Sequence, residues 1–421
     1  MSPGIPFAHH LVRNARFLTI SHVLKLGALR KSGVSIPTSW NKNMSLRAVN
    51  LIAPLVALTT CGAVFGQDVT VVKIGHVAPT SGPQAHWGKD TENGVRMAID
   101  DLNAQNILIA GKRIQLQLVA EDDGADPKQA TAVAQKLCDS KVAGVVGHLN
   151  SGTTIPATRV YNDCGLPNIT GAASNPDVTK QGYKTTFRLI ANDNALGASL
   201  AVYAAEQLKL KKVAVIDDRT AYGQGVAEIF RSTATKRGVT IVDRQFTTDK
   251  ATDFMAILTS IKSKGADGIF FGGMDAQAGP MVRQIDQLGL VNVRFLGGDG
   301  ICTNELSKLA GGVRALGHVV CAEGGSPIDR MPQGAGWKAR YDAKYPGQFQ
   351  AYSPYTYDAT FVLVDAMKRA NSVDPEEYVK ALPRTDFQGI TAHIQFEPNG
   401  ELKNAASTLY EYKDGKKIPL R

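Results

Sequence analysis

The sequence predicts an α/β protein made of two successive lobes, each a parallel sheet covered by helices on both faces. Short β-branched strands alternate with amphipathic helices, and this pattern restarts near Ala195. Parallel strands need crossover connections, so such alternation favours parallel sheets. The composition, 43% apolar and 20% charged over 421 residues, is typical of a globular protein large enough for about two domains.

The first unit opens with a strand at Val69–Val77 and a helix at Asp90–Asn103, whose apolar residues recur at helical spacing. Asp126 and Pro127 begin the next helix, with proline at the first helical position, where it has no hydrogen bond to lose. The other elements predicted for this unit are strands at 113–120, 142–147 and 168–170 and a helix at 153–161.

The second unit repeats the alternation. We predict helices at 195–208, 222–237, 254–264 and 276–288, and strands at 212–217, 240–244, 268–272 and 293–296. After Cys321 the pattern predicts helices at 337–344 and 357–371 and strands at 392–396 and 407–412. The two units imply two lobes with short direct connections.

The amino-terminal segment resembles an export signal. Leu51–Phe65 is uncharged and 15 residues long, follows Arg47 and closes at Val64-Phe-Gly66, with small residues at the offsets needed for cleavage. A membrane span needs about 20 residues. We therefore predict a signal peptide at 44–66, cleaved near Gly66, and a periplasmic location. Residues 1–43 are interpreted as an upstream extension, with a transit peptide as the alternative. Cys61 is either lost with the signal or lipidated.

Charge and cysteine content narrow the possible partners. Residues 1–66 hold seven basic side chains and no acidic one, which leaves 40 basic against 38 acidic groups downstream. The nearly neutral remainder gives no support for a nucleic-acid or membrane surface. Four downstream cysteines in an exported chain suggest disulfides, with three possible pairings, and no CxxC spacing indicates zinc or redox chemistry.

No motif for catalysis is found. The loop Ala78–Gly88 lacks the glycine pattern of a dinucleotide site, and Ser151 lacks the spacing of a serine nucleophile. We therefore expect neither an enzyme nor a cofactor. A metal site at His76, His86 and His148 is the alternative to histidines bonded to backbone carbonyls, and the latter is the commoner arrangement, so no metal is predicted.

A ligand site is predicted at the carboxyl ends of the strands, where open α/β sheets bind small molecules. The first-unit loops are rich in glycine and small hydroxyl residues, which leave backbone N–H groups free for a carboxylate. The second unit offers one acid and apolar surface. The loops are 80–87, 149–154 and 171–175, and the second-unit residues are Tyr222, Met274 and Asp299. Donors opposite a carboxylate suit a zwitterion.

Several stretches resemble one known family. They are Ser81-Gly-Pro with Trp87-Gly88, Asp122 to Gln129, Gly147 to Ser151, Ala172-Ala-Ser174 and Ala221 to Gly225. Over residues 69–421 the chain resembles the periplasmic leucine/isoleucine/valine-binding proteins of branched-chain amino-acid ABC transporters. The resemblance implies two Rossmann-like lobes joined by three hinge crossings, with residues 67–191 and 323–392 in the N-terminal lobe and 192–322 and 393–421 in the C-terminal lobe.

The resemblance also implies roles for eight residues. Ser151 and the backbone after it would bind the ligand carboxylate, while the carbonyl of Ala172, the hydroxyl of Ser174 and Asp299 would bind its ammonium group. The covering side chains would be Trp87, Tyr222, Met274 and Tyr352, with methionine standing where the family commonly has an aromatic residue. The structural alternatives are helix caps for the serines and loop packing for the tryptophan.

The function implied is that of a non-enzymatic, monomeric carrier that closes over an amino acid, branched-chain or otherwise apolar or small, and delivers it to an inner-membrane permease. The alternative is a sensory protein for an amide, urea or aromatic acid. Because a bridge between the lobes would lock the hinge, we expect disulfides within lobes, Cys138–Cys164 and Cys302–Cys321.

Overall fold

The computed structural model describes residues 69–420 and contains two large sheets and one short two-stranded sheet. The strands are β1 (Val69–Ala78), β2 (Leu108–Ile109), β3 (Lys112–Asp122), β4 (Gly144–Gly147), β5 (Asn168–Thr170), β6 (Thr186–Arg188), β7 (Lys212–Asp217), β8 (Thr240–Phe246), β9 (Gly268–Gly272), β10 (Arg294–Gly297), β11 (Val319–Gly324), β12 (Phe387–Gln388), β13 (His393–Ile394), β14 (Ser407–Lys413) and β15 (Lys416–Pro419).

The helices connect the strands in the predicted alternation. They are α1 (Ala85–Asn103), α2 (Pro127–Asp139), α3 (Ser151–Asp163), α4 (Asp177–Lys180), α5 (Asp193–Glu206), α6 (Ala221–Lys236), α7 (Met255–Ser263), α8 (Asp275–Gln287), α9 (Leu306–Leu309), α10 (Gly334–Lys344), α11 (Ser353–Ala370) and α12 (Pro375–Tyr378). None of the helices in residues 69–420 has the length and apolarity to cross a membrane.

The two large sheets have mainly parallel strands. The first has the order β2-β3-β1-β4-β5-β6, and the second has the order β15-β14-β11-β10-β9-β7-β8. Antiparallel pairs occur only at their edges, between β2 and β3 and from β11 through β14 to β15. All residues of β4 and β9 are buried, as expected for parallel strands with helices on both faces. The predicted fold class is confirmed.

Local sequence signals begin several helices. Asp126 accepts hydrogen bonds from the backbone N–H groups of Lys128 at 2.8 Å and Gln129 at 2.9 Å, which caps α2. Thr220 caps α6 in the same way through the N–H of Gly223, at 2.9 Å. These caps fix where each helix starts relative to the strand before it, and the ligand-facing loops lie at those junctions.

The chain passes between the two sheets three times. The first passage follows β6, and the second follows β11, where Gly325 donates its N–H to the carbonyl of Ala406 at 2.7 Å. This bond holds the second passage beside the third. Gly325 has φ +101°, and a Cβ there would lie 1.7 Å from the Tyr355 hydroxyl, so this position requires glycine.

The third passage lies later than the predicted boundary at residue 393. Phe396 packs on Phe187 with ring centroids 4.9 Å apart, and the carbonyl of Gly400 accepts the N–H of Arg188 at 2.9 Å. Leu402 still contacts the core of the first sheet. The segment 393–402 therefore belongs with the first lobe, because its apolar side chains are buried there. The second predicted boundary, at 322/323, falls inside β11.

One disulfide links neighbouring elements in each lobe. Cys138 at the end of α2 is bonded to Cys164 after α3, with Cα atoms 6.3 Å apart, and Cys302 is bonded to Cys321 in β11, with Cα atoms 5.4 Å apart. These are the pairs expected from the sequence. Neither crosses the connection between the lobes, so both leave the lobes free to move.

Candidate functional site

Seven of the eight predicted site residues line one small cavity between the carboxyl ends of the two sheets. Its volume is about 20 Å³. The predicted residues that line it are Ser151, Ala172, Ser174, Tyr222, Met274, Asp299 and Tyr352. Trp87 is not part of its wall, because it lies one layer behind and stacks on the ring of Tyr352 with centroids 4.9 Å apart.

The first lobe contributes a helix N-terminus. The helix α3 begins at Ser151, immediately after β4 and its loop, and has no side-chain cap. The first N–H groups of a helix lack acceptors within it and carry a partial positive charge. The hydroxyl of Ser151 also accepts a hydrogen bond from the N–H of Asn175 at 3.1 Å, which ties two of the predicted loops together. This side of the cavity can therefore bind an anion.

The second lobe contributes Asp299, which follows β10. Its side chain is only 2% exposed, and its carboxylate accepts a hydrogen bond from the hydroxyl of Tyr352 at 2.7 Å. Burial raises the pKa of Asp299 to about 6, although bonds from Tyr352 and Tyr222 oppose the rise. The hydroxyl of Tyr222 also accepts the N–H of Gly300 at 2.9 Å. This network holds an acidic group at the cavity, where an ionised carboxylate lacks a full counter-charge.

The sequence analysis missed a second buried acid, Asp193. It opens α5 at the first passage between the lobes, and its side chain is fully buried. No described residue donates a hydrogen bond of normal geometry to either carboxylate oxygen, and the nearby hydroxyl of Ser174 offsets the effect of burial only in part. Burial and the charge of Asp299 hold the pKa of Asp193 well above its ordinary value. The positive charge of Arg188 lowers the pKa of Asp193, but the guanidinium group of Arg188 is bonded to Glu401. The positive charge near Asp193 and Asp299 is therefore too small to balance two ionised carboxylates.

Asp90 positions the loop that carries Tyr352. This fully buried acid of α1 accepts hydrogen bonds from the N–H groups of Tyr352 at 2.9 Å and Ser353 at 3.0 Å, and from the Ser353 hydroxyl at 2.6 Å. The helices also approach closely there, since a Cβ on Gly94 would lie 2.2 Å from the carbonyl oxygen of Ser353. The first turn of α11 is thus fixed against α1, and with it the backbone of Tyr352.

Arg188 holds the loop that carries Ser174. Its side chain is fully buried, and it donates to the carbonyl oxygens of Ala173 and Asn175, each at 2.8 Å, while Glu401 neutralises it. The segment between those carbonyls includes Ser174. No short sequence motif indicates Arg188 or Asp90, because Arg188 is neutralised by the distant Glu401 and Asp90 acts on a loop far away in the chain.

Contacts across the cleft show that the lobes are closed. The imidazole of His86 lies 2.9 Å from a carboxylate oxygen of Asp275, which begins α8 in the second lobe. The side-chain amide of Asn175 donates to the carbonyl of Ala221 at 2.7 Å. Burial lowers the pKa of His86, but the bond to Asp275 and its charge outweigh this, and the pKa is raised.

The three histidines of the metal alternative lie in different environments. His76 contacts the carbonyl of Val146 at 2.8 Å, as the commoner interpretation of such a histidine expects. His148 lies between Asp123 and Tyr161, 2.8 Å from each. His86 faces the other lobe. Within residues 69–420, no group of three potential ligands could hold a metal ion.

Comparison with known proteins agrees with this architecture. Residues 71–417 match the family model of a periplasmic binding protein. An amino acid binding protein of Pseudomonas aeruginosa is 36% identical over 346 residues, which cover 82% of this chain and 90% of the relative. A leucine-, isoleucine-, valine-, threonine- and alanine-binding protein of the same organism is 31% identical, over 85% of this chain and 95% of its own length.

Solved structures give the same result. A leucine-binding protein from Thermotoga maritima superimposes with a TM-score of 0.76 at 26% identity, over 83% of this chain and 98% of its own. A branched-chain amino acid transporter substrate-binding protein from Streptococcus pneumoniae, in complex with isoleucine, gives 0.74 at 27% identity, over 83% of this chain and all of the other. The chain therefore belongs to the periplasmic binding proteins.

Proposed function

We propose that this protein binds the zwitterion of an α-amino acid with an apolar or small side chain between its lobes and delivers it to an ABC permease in the inner membrane. The observation that carries the proposal is that a helix N-terminus at Ser151 and the buried carboxylate of Asp299 line the same cavity, with a second buried carboxylate, Asp193, near Asp299. Buried charges are stable only when they are paired. A ligand ammonium group between these acids would provide the missing positive charge.

Each wall of the cavity receives a role. The N–H groups at the start of α3 and the hydroxyl of Ser151 bind the ligand carboxylate. The carbonyl of Ala172 and the hydroxyl of Ser174 join the two acids around the ammonium group, since all of these groups accept hydrogen bonds from it. The side chain then meets the remaining, largely apolar wall, which is formed by Tyr222, Met274 and Tyr352 with Trp87 behind.

The relatives support an amino acid as the ligand. Those compared above are named as binding amino acids in general, or leucine, isoleucine, valine, threonine and alanine in particular. The Streptococcus structure holds isoleucine. These names support an aliphatic side chain for the ligand of this chain, and they support transport over the sensory alternative.

Export completes the proposal. The signal segment at 44–66 directs the chain to the periplasm and is removed near Gly66, so that the carrier acts there as a soluble monomer. Both the segment and Cys61 lie outside the described residues. Intact-mass analysis of the envelope fraction tests this step: a mature N-terminus upstream of Met44, or a lipid on Cys61, would contradict it.

A ligand screen tests the binding proposal. The exported protein is melted in the presence of each of the twenty amino acids, urea, short amides and aromatic acids. A ligand present at 100 times its dissociation constant stabilises the protein by about 2.7 kcal/mol. We expect apolar α-amino acids to raise the melting temperature and their deamino analogues to have little effect. Stabilisation only by urea, an amide or an acid without an amino group would overturn the proposal.

A further inference from the structure

A second cavity lies on the far side of Tyr352. Its volume is about 250 Å³, and a water molecule in the liquid takes up about 30 Å³. It is enclosed by the segment after β11, the loop before α11 and the C-terminal hairpin. Its apolar lining comes from Ile328, Met331, Phe349, Pro354 and Tyr355. We call it the rear cavity.

Tyr352 is the wall shared by the two cavities, since it lines both. One face of its ring stacks on Trp87, and its hydroxyl is bonded to Asp299 at 2.7 Å. The cavity in front of it, at about 20 Å³, has room for about one water molecule. An amino acid bound there needs more space for its side chain. Its ammonium group would also compete with the Tyr352 hydroxyl for Asp299, which frees the ring to move.

The rear cavity also contains a polar group without a partner. The side chain of Gln350 is 6% exposed and lines the cavity, and its Oε1 atom accepts no hydrogen bond from the described part of the chain. Both lysines of the lining are paired with acids, Lys417 with Glu323 and Lys338 with Asp342. A buried acceptor among aromatic and aliphatic side chains suits a ligand group that is apolar along its length and donates one hydrogen bond at its end.

We propose that the rear cavity is a side-chain subsite of the cleft, reached when Tyr352 moves aside, and that it takes an aromatic side chain with a terminal hydrogen-bond donor. The phenol of tyrosine and the indole of tryptophan have this chemistry. The inference rests on the proposed function, because the same acids and helix N-terminus hold the amino and carboxylate groups. It extends the ligand class from aliphatic to aromatic amino acids.

Calorimetry with leucine, phenylalanine and tyrosine tests the subsite. We expect all three to bind the exported protein, and tyrosine to bind roughly fivefold more tightly than phenylalanine, since the phenol hydroxyl donates to Gln350 and one hydrogen bond is worth about 1 kcal/mol. In Gln350→Leu, tyrosine should fall to the affinity of phenylalanine, while leucine keeps its affinity. This variant removes an unpaired buried group, so it should fold at least as well as the wild type.

Tyr352 provides a matched pair of variants. Tyr352→Ala removes the wall and should raise the affinity for phenylalanine relative to leucine at least fivefold, whereas Tyr352→Phe keeps the ring and should leave that ratio close to the wild-type value. Melting curves of both variants confirm that they fold. If Tyr352→Ala leaves the ratio unchanged, or if Gln350→Leu weakens all three ligands equally, the rear cavity is not a subsite.

Ligand binding to the wild-type protein distinguishes failure of the subsite from failure of the proposed function. Binding of leucine with no binding of phenylalanine or tyrosine overturns the subsite alone. Failure to bind any α-amino acid overturns the proposed function, and the subsite with it.

Discussion

Replacing Asp299 with alanine should weaken ligand binding without lowering the stability of the free protein at pH 8. A charge-assisted hydrogen bond contributes about 1.5–3 kcal/mol, and every 1.4 kcal/mol is a factor of ten, so the affinity should fall roughly tenfold or more. Burial raises the pKa of Asp299 from 3.8 to about 6, and each unit corresponds to about 1.4 kcal/mol. Ionised Asp299 therefore destabilises the free, folded protein.

The effect of Asp299 on the stability of the free protein depends on pH, and this dependence provides a control. An acid with a raised pKa in the folded state favours folding while it is protonated, and this contribution is lost as the pH rises through about 6. At pH 8, Asp299→Ala removes the ionised group, so free variant and wild type should differ little in melting temperature, or the variant should melt later. The pH dependence of the melting temperature between pH 4 and 7 should also be smaller.

Calorimetry at pH 8 with leucine and with its deamino analogue, 4-methylpentanoate, measures the effect. The wild type should discriminate strongly against the analogue, and Asp299→Ala should narrow the difference. Asp218→Asn is the matched control, because Asp218 is a buried acid at a strand end whose pKa burial also raises to about 6, yet it does not line the small cavity. If Asp299→Ala keeps the wild-type affinity while its melting temperature falls, Asp299 is a structural acid and the zwitterion site is refuted.

Three further predictions follow from the same contacts. Burial raises the pKa values of Asp193 and Asp299, and both acids should ionise around an ammonium group, so ligand binding at pH 6 should release protons. The binding enthalpy should then differ between buffers of unequal ionisation enthalpy. Equal binding enthalpies would contradict a site shared by the two acids. His86→Ala should speed ligand dissociation several-fold in stopped-flow measurements with little effect on association, since the contact with Asp275 joins the two lobes and would be lost when they open. An unchanged dissociation rate would show that this contact is incidental. Asp90→Ala leaves several buried donors unpaired and should lower the free energy of unfolding by about 3 kcal/mol or more, as measured in urea. A loss below about 1 kcal/mol would show that Asp90 does not hold the loop of Tyr352 in place.

The sequence by itself determined the order of helices and strands and most of the cleft. Strands at 168–170, 212–217 and 268–272 have the predicted bounds, because a short apolar, β-branched run between turn residues is a local signal. Asp126 and Pro127 start α2 for an equally local reason. The ligand loops could be located because parallel strands present their carboxyl ends at one edge of a sheet.

Short strands that pair with segments distant in the chain were predicted less accurately from the sequence. The strand β11 was not predicted, although it lies between β10 and β14 in the second sheet, because its short run beside Cys321 has no distinctive local period. The segment 392–396 forms only the two-residue β13, paired with β12. Strand pairing, rather than local propensity, decides such short segments.

Only the tertiary structure decided which polar residues act on the site. Asp193 resembles an ordinary acid at the start of a helix until folding buries it beside Asp299, and Asp90 reaches the loop of Tyr352 across more than 250 positions of the chain. The rear cavity is likewise formed by segments that are distant in sequence. Burial and long-range packing determine the charge balance and the free volume of the cleft, and neither quantity is encoded in any short stretch of residues.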